Sequence, residues 1–122
     1  MNTTTSKTYP IVNSYTVEDL KSILAAALQH AQDAAEAHLE QHGEHAYCGF
    51  AWVNIYDIKG STKLGRRMKA AGFEKDYSGA YSIWNPCGLY TQCMSTKEAG
   101  ARAAAQVFQA AGFSAYAGSR PD

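Results

Sequence analysis

Residues 69–73 read Lys-Ala-Ala-Gly-Phe, and residues 109–113 repeat the pattern as Gln-Ala-Ala-Gly-Phe. A helix that ends sharply places glycine in a left-handed conformation just past its last turn, and a following apolar residue packs inward. Each copy therefore predicts the end of a helix and the entry into a strand. Gly72 and Gly112 are the predicted stops, and Phe73 and Phe113 are the predicted core residues.

Hydrophobic spacing and turn residues extend this pattern in both directions. The predicted elements are a strand at 47–56, a helix at 62–71, strands at 77–84 and 89–94 joined by a turn at 85–88, a helix opened by a capping box at 95–98, and a strand at 113–117 followed by a polar tail. The order β-α-β-β-α-β predicts a ferredoxin-like antiparallel sheet with both helices on one face.

A further helix precedes this unit. Thr16 is a typical helix cap, apolar residues from Val17 to Ala35 recur at helical spacing, and Gly43 ends the pattern. The sequence thus predicts a flexible lead at 1–13 and one α+β domain at 14–122. Within that domain, residues 14–43 form the N-terminal helix, and residues 45–118 form the sheet and two helices.

The composition favours a folded protein of the cytosol. The chain has 122 residues, 46% of them hydrophobic, and its first residues are too polar for a signal peptide. Three cysteines, an odd number, argue against a disulfide framework. Cys87 has no histidine that the sequence places beside it, and no catalytic or cofactor motif is present, so we expect no enzyme activity and no cofactor.

The net charge is zero, but it is unevenly distributed. Residues 1–58 carry a net charge of −5 and residues 59–122 a net charge of +5, and six of the nine cations of the second part lie between Lys59 and Lys75. This basic segment either binds an anion or lies near the acidic first helix.

The first predicted strand carries Phe50, Trp52 and Tyr56 on one face and small or β-branched residues on the other. Residues 49–55 resemble the RNP1 strand of RNA-recognition motifs, in which aromatic rings at the positions of Phe50 and Trp52 stack on bases. Here Cys48 stands where that strand has a basic residue. The alternatives are burial of these rings beneath the first helix, or an interface between copies of the chain.

Two further clusters are candidate sites. Lys63, Arg66 and Arg67 lie at a predicted helix N-terminus, which favours a phosphate or nucleotide, with Arg102 or Arg120 joining from elsewhere; the alternative is a solvated basic turn. His38, His42, His45 and Cys48 have a spacing that zinc accepts. Histidine is also favoured at a helix C-terminus by the dipole alone, and we assign no metal.

Four segments, at 48–53, 83–86, 97–103 and 118–122, resemble a family of short bacteriophage proteins of unknown function. The resemblance implies a phage product in the cytoplasm of an infected bacterium. The leading hypothesis is a non-enzymatic accessory protein, with a role in host takeover or anti-defence, that binds a host protein or other macromolecule and self-associates through its aromatic surface. The second hypothesis is a nucleotide or nucleic-acid binder that uses the basic helix N-terminus and the aromatic strand.

Overall fold

The first helix begins at the predicted cap. In the computed structural model, which describes residues 12–43, 48–76, 78–91 and 93–121, the Thr16 hydroxyl accepts a hydrogen bond from the backbone N–H of Asp19 (3.1 Å). The Asp19 carboxylate in turn accepts one from the backbone N–H of Thr16 (2.9 Å). This reciprocal capping box opens helix α1, Val17–His42, which ends at Gly43 as predicted.

Within the described residues, four strands and two more helices follow α1. In chain order the elements are β1 (Gly49–Tyr56), α2 (Lys63–Ala71), β2 (Glu74–Lys75), β3 (Tyr81–Trp84), α3 (Met94–Ala110) and β4 (Ser114–Pro121). The strands form one sheet in the order β2-β3-β1-β4, and every neighbouring pair is antiparallel. The mixed α+β class, the N-terminal helix and the antiparallel sheet are therefore confirmed.

The predicted ferredoxin-like arrangement was wrong in its strand positions. It placed strands at 77–84 and 89–94, whereas the observed hairpin joins Glu74–Lys75 to Tyr81–Trp84. Residues 89–91 belong to no strand, and Cys93 forms only an isolated bridge with Cys48. The described residues form three helices, the predicted N-terminal one and two within the sheet unit.

Both Gly-Phe units behave as predicted. Gly72 and Gly112 have φ angles of 109° and 102°, in the left-handed region. In each unit the following phenylalanine donates its backbone N–H to the carbonyl five residues back, Phe73 to Met68 and Phe113 to Phe108, at 3.0 Å. The rings of Phe73 and Phe113 both meet Phe108, with centroids 5.9 Å and 6.4 Å apart. The repeat thus builds one aromatic cluster in the core.

The predicted start of the last helix and the predicted end of the last strand were both wrong. The capping box at 95–98 does not form, because Cys93 rather than Ser95 is the cap of α3, which begins at Met94. The predicted polar tail is part of β4, since backbone pairing with β1 continues as far as Pro121 opposite Gly49.

The helices all lie on one side of the sheet. Helix α3 packs on β1 and β4, while α1 packs on α3 and α2 and forms an outer layer. Small residues permit close helix contact: a Cβ at Gly100 of α3 would lie 3.1 Å from the Ala31 carbonyl oxygen of α1. The buried Tyr81 side chain donates a hydrogen bond to the Gly65 carbonyl of α2 (3.0 Å). Within the described residues, the opposite side of the sheet carries no helix.

Candidate functional site

The helix-free side of the sheet presents a group of aromatic side chains, which we call the aromatic face. Along β1 burial alternates as predicted, with Gly49, Ala51, Val53 and Ile55 toward the helices and the intervening residues toward the open side. Cross-strand pairing of Trp52 with Trp84, and of Asn54 with Tyr116, adds residues of β3 and β4 to that side. The members of the aromatic face are Phe50, Trp52, Tyr56, Trp84 and Tyr116.

The rings at the centre of this face are mutually aligned. Trp52 and Trp84 are parallel within 1°, with centroids 5.5 Å apart. Phe50 contacts Trp84 at the same centroid distance, tilted by 34°. Trp84 is nevertheless 56% exposed. A parallel indole pair with one exposed member is a surface on which a planar group can stack.

Gly118 on β4 allows this ring arrangement. A Cβ at that position would lie 2.6 Å from Nε1 of Trp52 and within 2.9 Å of two further atoms of the same indole. The Trp52 ring therefore lies directly over the glycine backbone, a contact that a larger residue would prevent. Trp52 is half-buried as a result and supports the more exposed Trp84.

Two cations lie at one edge of the aromatic face. The guanidinium carbon of Arg120 is 5.5 Å from the centroid of the Phe50 ring, and Nζ of Lys97 is 5.4 Å from it. Lys97 also donates a hydrogen bond to the Gly49 carbonyl (2.9 Å). In the part of the chain that the structure describes, neither cation is ion-paired with a carboxylate. This edge is therefore suited to an anionic group.

A groove of about 490 Å³ crosses the face from this edge to the β2–β3 turn. Trp52, Asn54, Ser82 and Trp84 line its middle, Arg120 lies at one end, and Asp76 and Ser78 lie at the other. The Asn54 amide donates to the Tyr56 hydroxyl (3.1 Å), while its Oδ1 is buried with no partner among the described residues. The groove thus offers stacking surface, polar side chains and charges of opposite sign at its two ends.

The acidic end is a hydrogen-bonded turn. Oδ1 of Asp76 accepts from the Ser78 hydroxyl (2.6 Å) and from the backbone N–H groups of Ser78 (2.9 Å) and Ala80 (3.2 Å). These bonds, chiefly the one from the Ser78 hydroxyl, hold the pKa of Asp76 below its ordinary value of 3.8. Asp76 is therefore anionic at neutral pH.

The lowered pKa gives a prediction for the turn. Because the folded pKa lies below the unfolded one, ionised Asp76 stabilises the turn at any pH above about 4. This contribution is lost as the pH falls through the folded pKa. In an NMR titration from pH 6 to pH 2 we expect the amide signals of Ser78 and Ala80 to move only below about pH 4. Asp76→Asn should abolish that titration, and a midpoint above pH 5 would contradict the assignment.

The predicted basic residues lie elsewhere. Lys63, Arg66 and Arg67 are on α2, on the helix side of the sheet, and do not meet Phe50 or Trp52. Arg66 donates to the Ser61 carbonyl and Arg67 to the Asn13 carbonyl, both at 2.8 Å. The Thr62 hydroxyl caps the helix by accepting from the N–H of Gly65 (3.0 Å), so part of the expected anion-binding capacity is already used.

The histidine cluster is only partly described. His38 and His42 lie on one face of α1 with ring centroids 4.7 Å apart, and Nδ1 of His38 is 3.1 Å from the buried Thr96 hydroxyl. His45 lies outside the described residues. Among those that are described, no group of three metal-ligating side chains converges. Cys87, the other candidate side chain, is buried, with Sγ 3.4 Å from Oδ1 of Asn85.

Several members of the site were not identified from the sequence. Phe50 and Trp52 were predicted, but Trp84, Lys97 and Asp76 were not. Arg120 was predicted to join the anion site at the basic helix instead. Trp84 carried a signal, since it is one of two tryptophans and lies in a strand pattern. Its proximity to Trp52 depends on the β1–β3 register, which no local pattern specifies.

Comparison with protein-family models, with curated proteins and with solved structures gave no match to this chain. Of the helices that the structure describes, none is long and apolar enough to cross a membrane.

Proposed function

We propose that this chain is a non-enzymatic binding protein whose aromatic face stacks on the bases of single-stranded nucleic acid, while Arg120 and Lys97 contact phosphate. The observation that carries the proposal is the parallel Trp52–Trp84 pair on a sheet face that no described helix covers, with two cations at its edge that pair with no described carboxylate. Stacking platforms combined with basic edges are a recurrent means of binding single strands.

The chemistry of the face favours a nucleobase over a protein partner. Asn54 and Ser82 lie among its rings, so the surface is partly polar, whereas a protein interface core has interdigitating apolar side chains. The nearby cations match the phosphate that every nucleotide carries. Exposed Trp84 and Tyr116, at 56% and 59%, also suit a second copy of the chain, which is the competing occupant.

The resemblance of residues 48–53, 83–86, 97–103 and 118–122 to phage proteins supplies the proposed context. The protein would act as a bacteriophage accessory factor in the cytoplasm of the infected bacterium, with a host or phage single strand as its ligand. This part of the proposal depends on the resemblance alone.

Fluorescence anisotropy with labelled oligonucleotides tests the binding function. We expect saturable binding of single-stranded DNA or RNA, weaker binding of the matching duplex, and competition by free nucleotides only at much higher concentration. Competition by mononucleotides as effective as by the oligonucleotide would assign a nucleotide site instead. Absence of binding, together with a dimer mass by light scattering that Trp84→Asp converts to a monomer, would replace the proposal with self-association.

Arg120→Ala tests the charged edge. Losing one phosphate contact should weaken oligonucleotide binding and make the slope of log K against log salt shallower by about 0.7. Arg66→Ala is the matched control, because Arg66 is an exposed arginine on α2, away from the aromatic face. The reverse result, a loss with Arg66→Ala and none with Arg120→Ala, would move the site to the basic helix.

A further inference from the structure

Two of the three cysteines lie opposite each other in the fold, although no local sequence pattern indicates that they pair. Cys48, just before β1, and Cys93, the cap of α3, are partners in an isolated antiparallel bridge. Directly opposed residues in antiparallel pairs have Cα atoms about 4.5–5.5 Å apart and side chains on the same face. A disulfide requires a Cα separation of about 4.4–6.8 Å, and the Cα separation of an antiparallel pair lies within that range.

The residues next to the two cysteines hold the segments together. Gly49 follows Cys48, and a Cβ at Gly49 would lie 2.6 Å from Sδ of Met94, the neighbour of Cys93. Lys97, one turn into α3, donates to the Gly49 carbonyl (2.9 Å). The backbone N–H of Cys93 donates to the buried Thr91 hydroxyl (3.1 Å). Contacts of the residues beside Cys48 and beside Cys93 thus hold the two segments next to each other.

We propose that Cys48 and Cys93 form a redox-active pair that closes to a disulfide by exchange with a low-molecular-weight disulfide. Cys48 is exposed and Cys93 is 2% exposed, which sets the order of events. The Cys48 thiolate attacks one sulfur of the small disulfide, forms a mixed disulfide and releases one small thiol. Cys93, the cap of α3, then attacks the Cys48 sulfur and releases the second small thiol.

The step is balanced, since one small disulfide is reduced to two thiols while two protein thiols are oxidised to one disulfide. The product ties the start of β1 to the start of α3. Cys48 immediately precedes β1 and lies two residues before Phe50, so the crosslink lies beside the cationic edge of the aromatic face. The proposal does not depend on nucleic-acid binding.

Incubation of the reduced full-length protein with oxidised glutathione, followed by alkylation and intact mass measurement, tests the pair. We expect wild type to retain one alkylatable thiol of three, with Cys48 and Cys93 joined in peptides mapped without reductant. Closing the loop between Cys48 and Cys93 should raise the midpoint of thermal unfolding by about 10–15 °C. Cys87→Ala is the matched control and should close in the same way, leaving no thiol.

The single-cysteine variants separate the two steps. Cys93→Ser should stop at a glutathione adduct on Cys48, and Cys48→Ser should not react. A glutathione adduct that persists on wild-type Cys48, a covalent dimer in place of the internal bond, or wild type that keeps all three thiols would each overturn the proposal. Because wild type alone gives these outcomes, the result does not depend on any variant folding.

Discussion

Replacing Trp84 with alanine is expected to weaken oligonucleotide binding by about 5- to 150-fold, the loss that corresponds to about 1–3 kcal/mol per stacked base. Trp84 is the exposed member of the parallel indole pair and also contacts Phe50, so it is the ring that a base reaches first. Since 56% of its surface is already exposed, the substitution should change the free energy of unfolding little. Anisotropy and thermal unfolding measured on the same samples separate the two effects.

Tyr90→Ala is the control for Trp84→Ala. Tyr90 is a fully exposed aromatic residue outside the strands, so its removal deletes exposed ring surface without altering the aromatic face. We expect its affinity to match wild type. Equal losses in the two variants would indicate nonspecific contact with exposed rings, and an unchanged affinity in Trp84→Ala would contradict stacking at this position.

The largest stability change is expected for Phe108→Ala, a loss of about 3–5 kcal/mol in the free energy of unfolding. Phe108 on α3 is fully buried, and its ring meets Phe73 and Phe113 edge-on. Alanine would leave a cavity at the point where both Gly-Phe units converge. Urea unfolding followed by circular dichroism measures the change.

Phe108→Leu keeps most of the side-chain volume and should cost clearly less than alanine. A similar loss for leucine and alanine would mean that ring geometry, rather than filled volume, stabilises the cluster. A loss below about 1 kcal/mol for alanine would contradict the central position given to Phe108.

The parts of the fold that were predicted correctly are those with local causes. Gly72 and Gly112 end helices because only glycine readily adopts their positive φ angles, and this requirement is visible in five residues. Thr16 caps α1 through a hydrogen bond to a residue three positions away. Such signals need no knowledge of the rest of the chain.

The errors lie where distant residues decide the structure. Strand β2 has only two residues, Glu74 and Lys75, too few for any hydrophobic alternation, and its pairing with β3 is set by the Asp76 turn. The predicted capping box failed because α3 begins before Ser95, and the Glu98 side chain accepts a hydrogen bond from Ser119 of β4. This hydrogen bond joins residues 21 positions apart, so no local sequence pattern indicates it.

The candidate site likewise has residues that a local pattern predicts and residues that depend on distant elements. Phe50 and Trp52 follow from the alternation of a single strand, and the prediction that they face away from the small residues is confirmed. Their partners Trp84, Arg120 and Lys97 come from three other elements, brought together by the sheet register and by the packing of α3. The possibility that α1 buries the aromatic strand is excluded, because α1 packs on α3 and α2.

Intrinsic tryptophan fluorescence during an oligonucleotide titration tests the central claim most directly. The chain contains two tryptophans, and both lie on the aromatic face, so the signal reports on this surface alone. We expect saturable quenching that follows the anisotropy curve and that weakens as salt is added. Binding by anisotropy with unchanged tryptophan emission would place the ligand elsewhere and contradict the account.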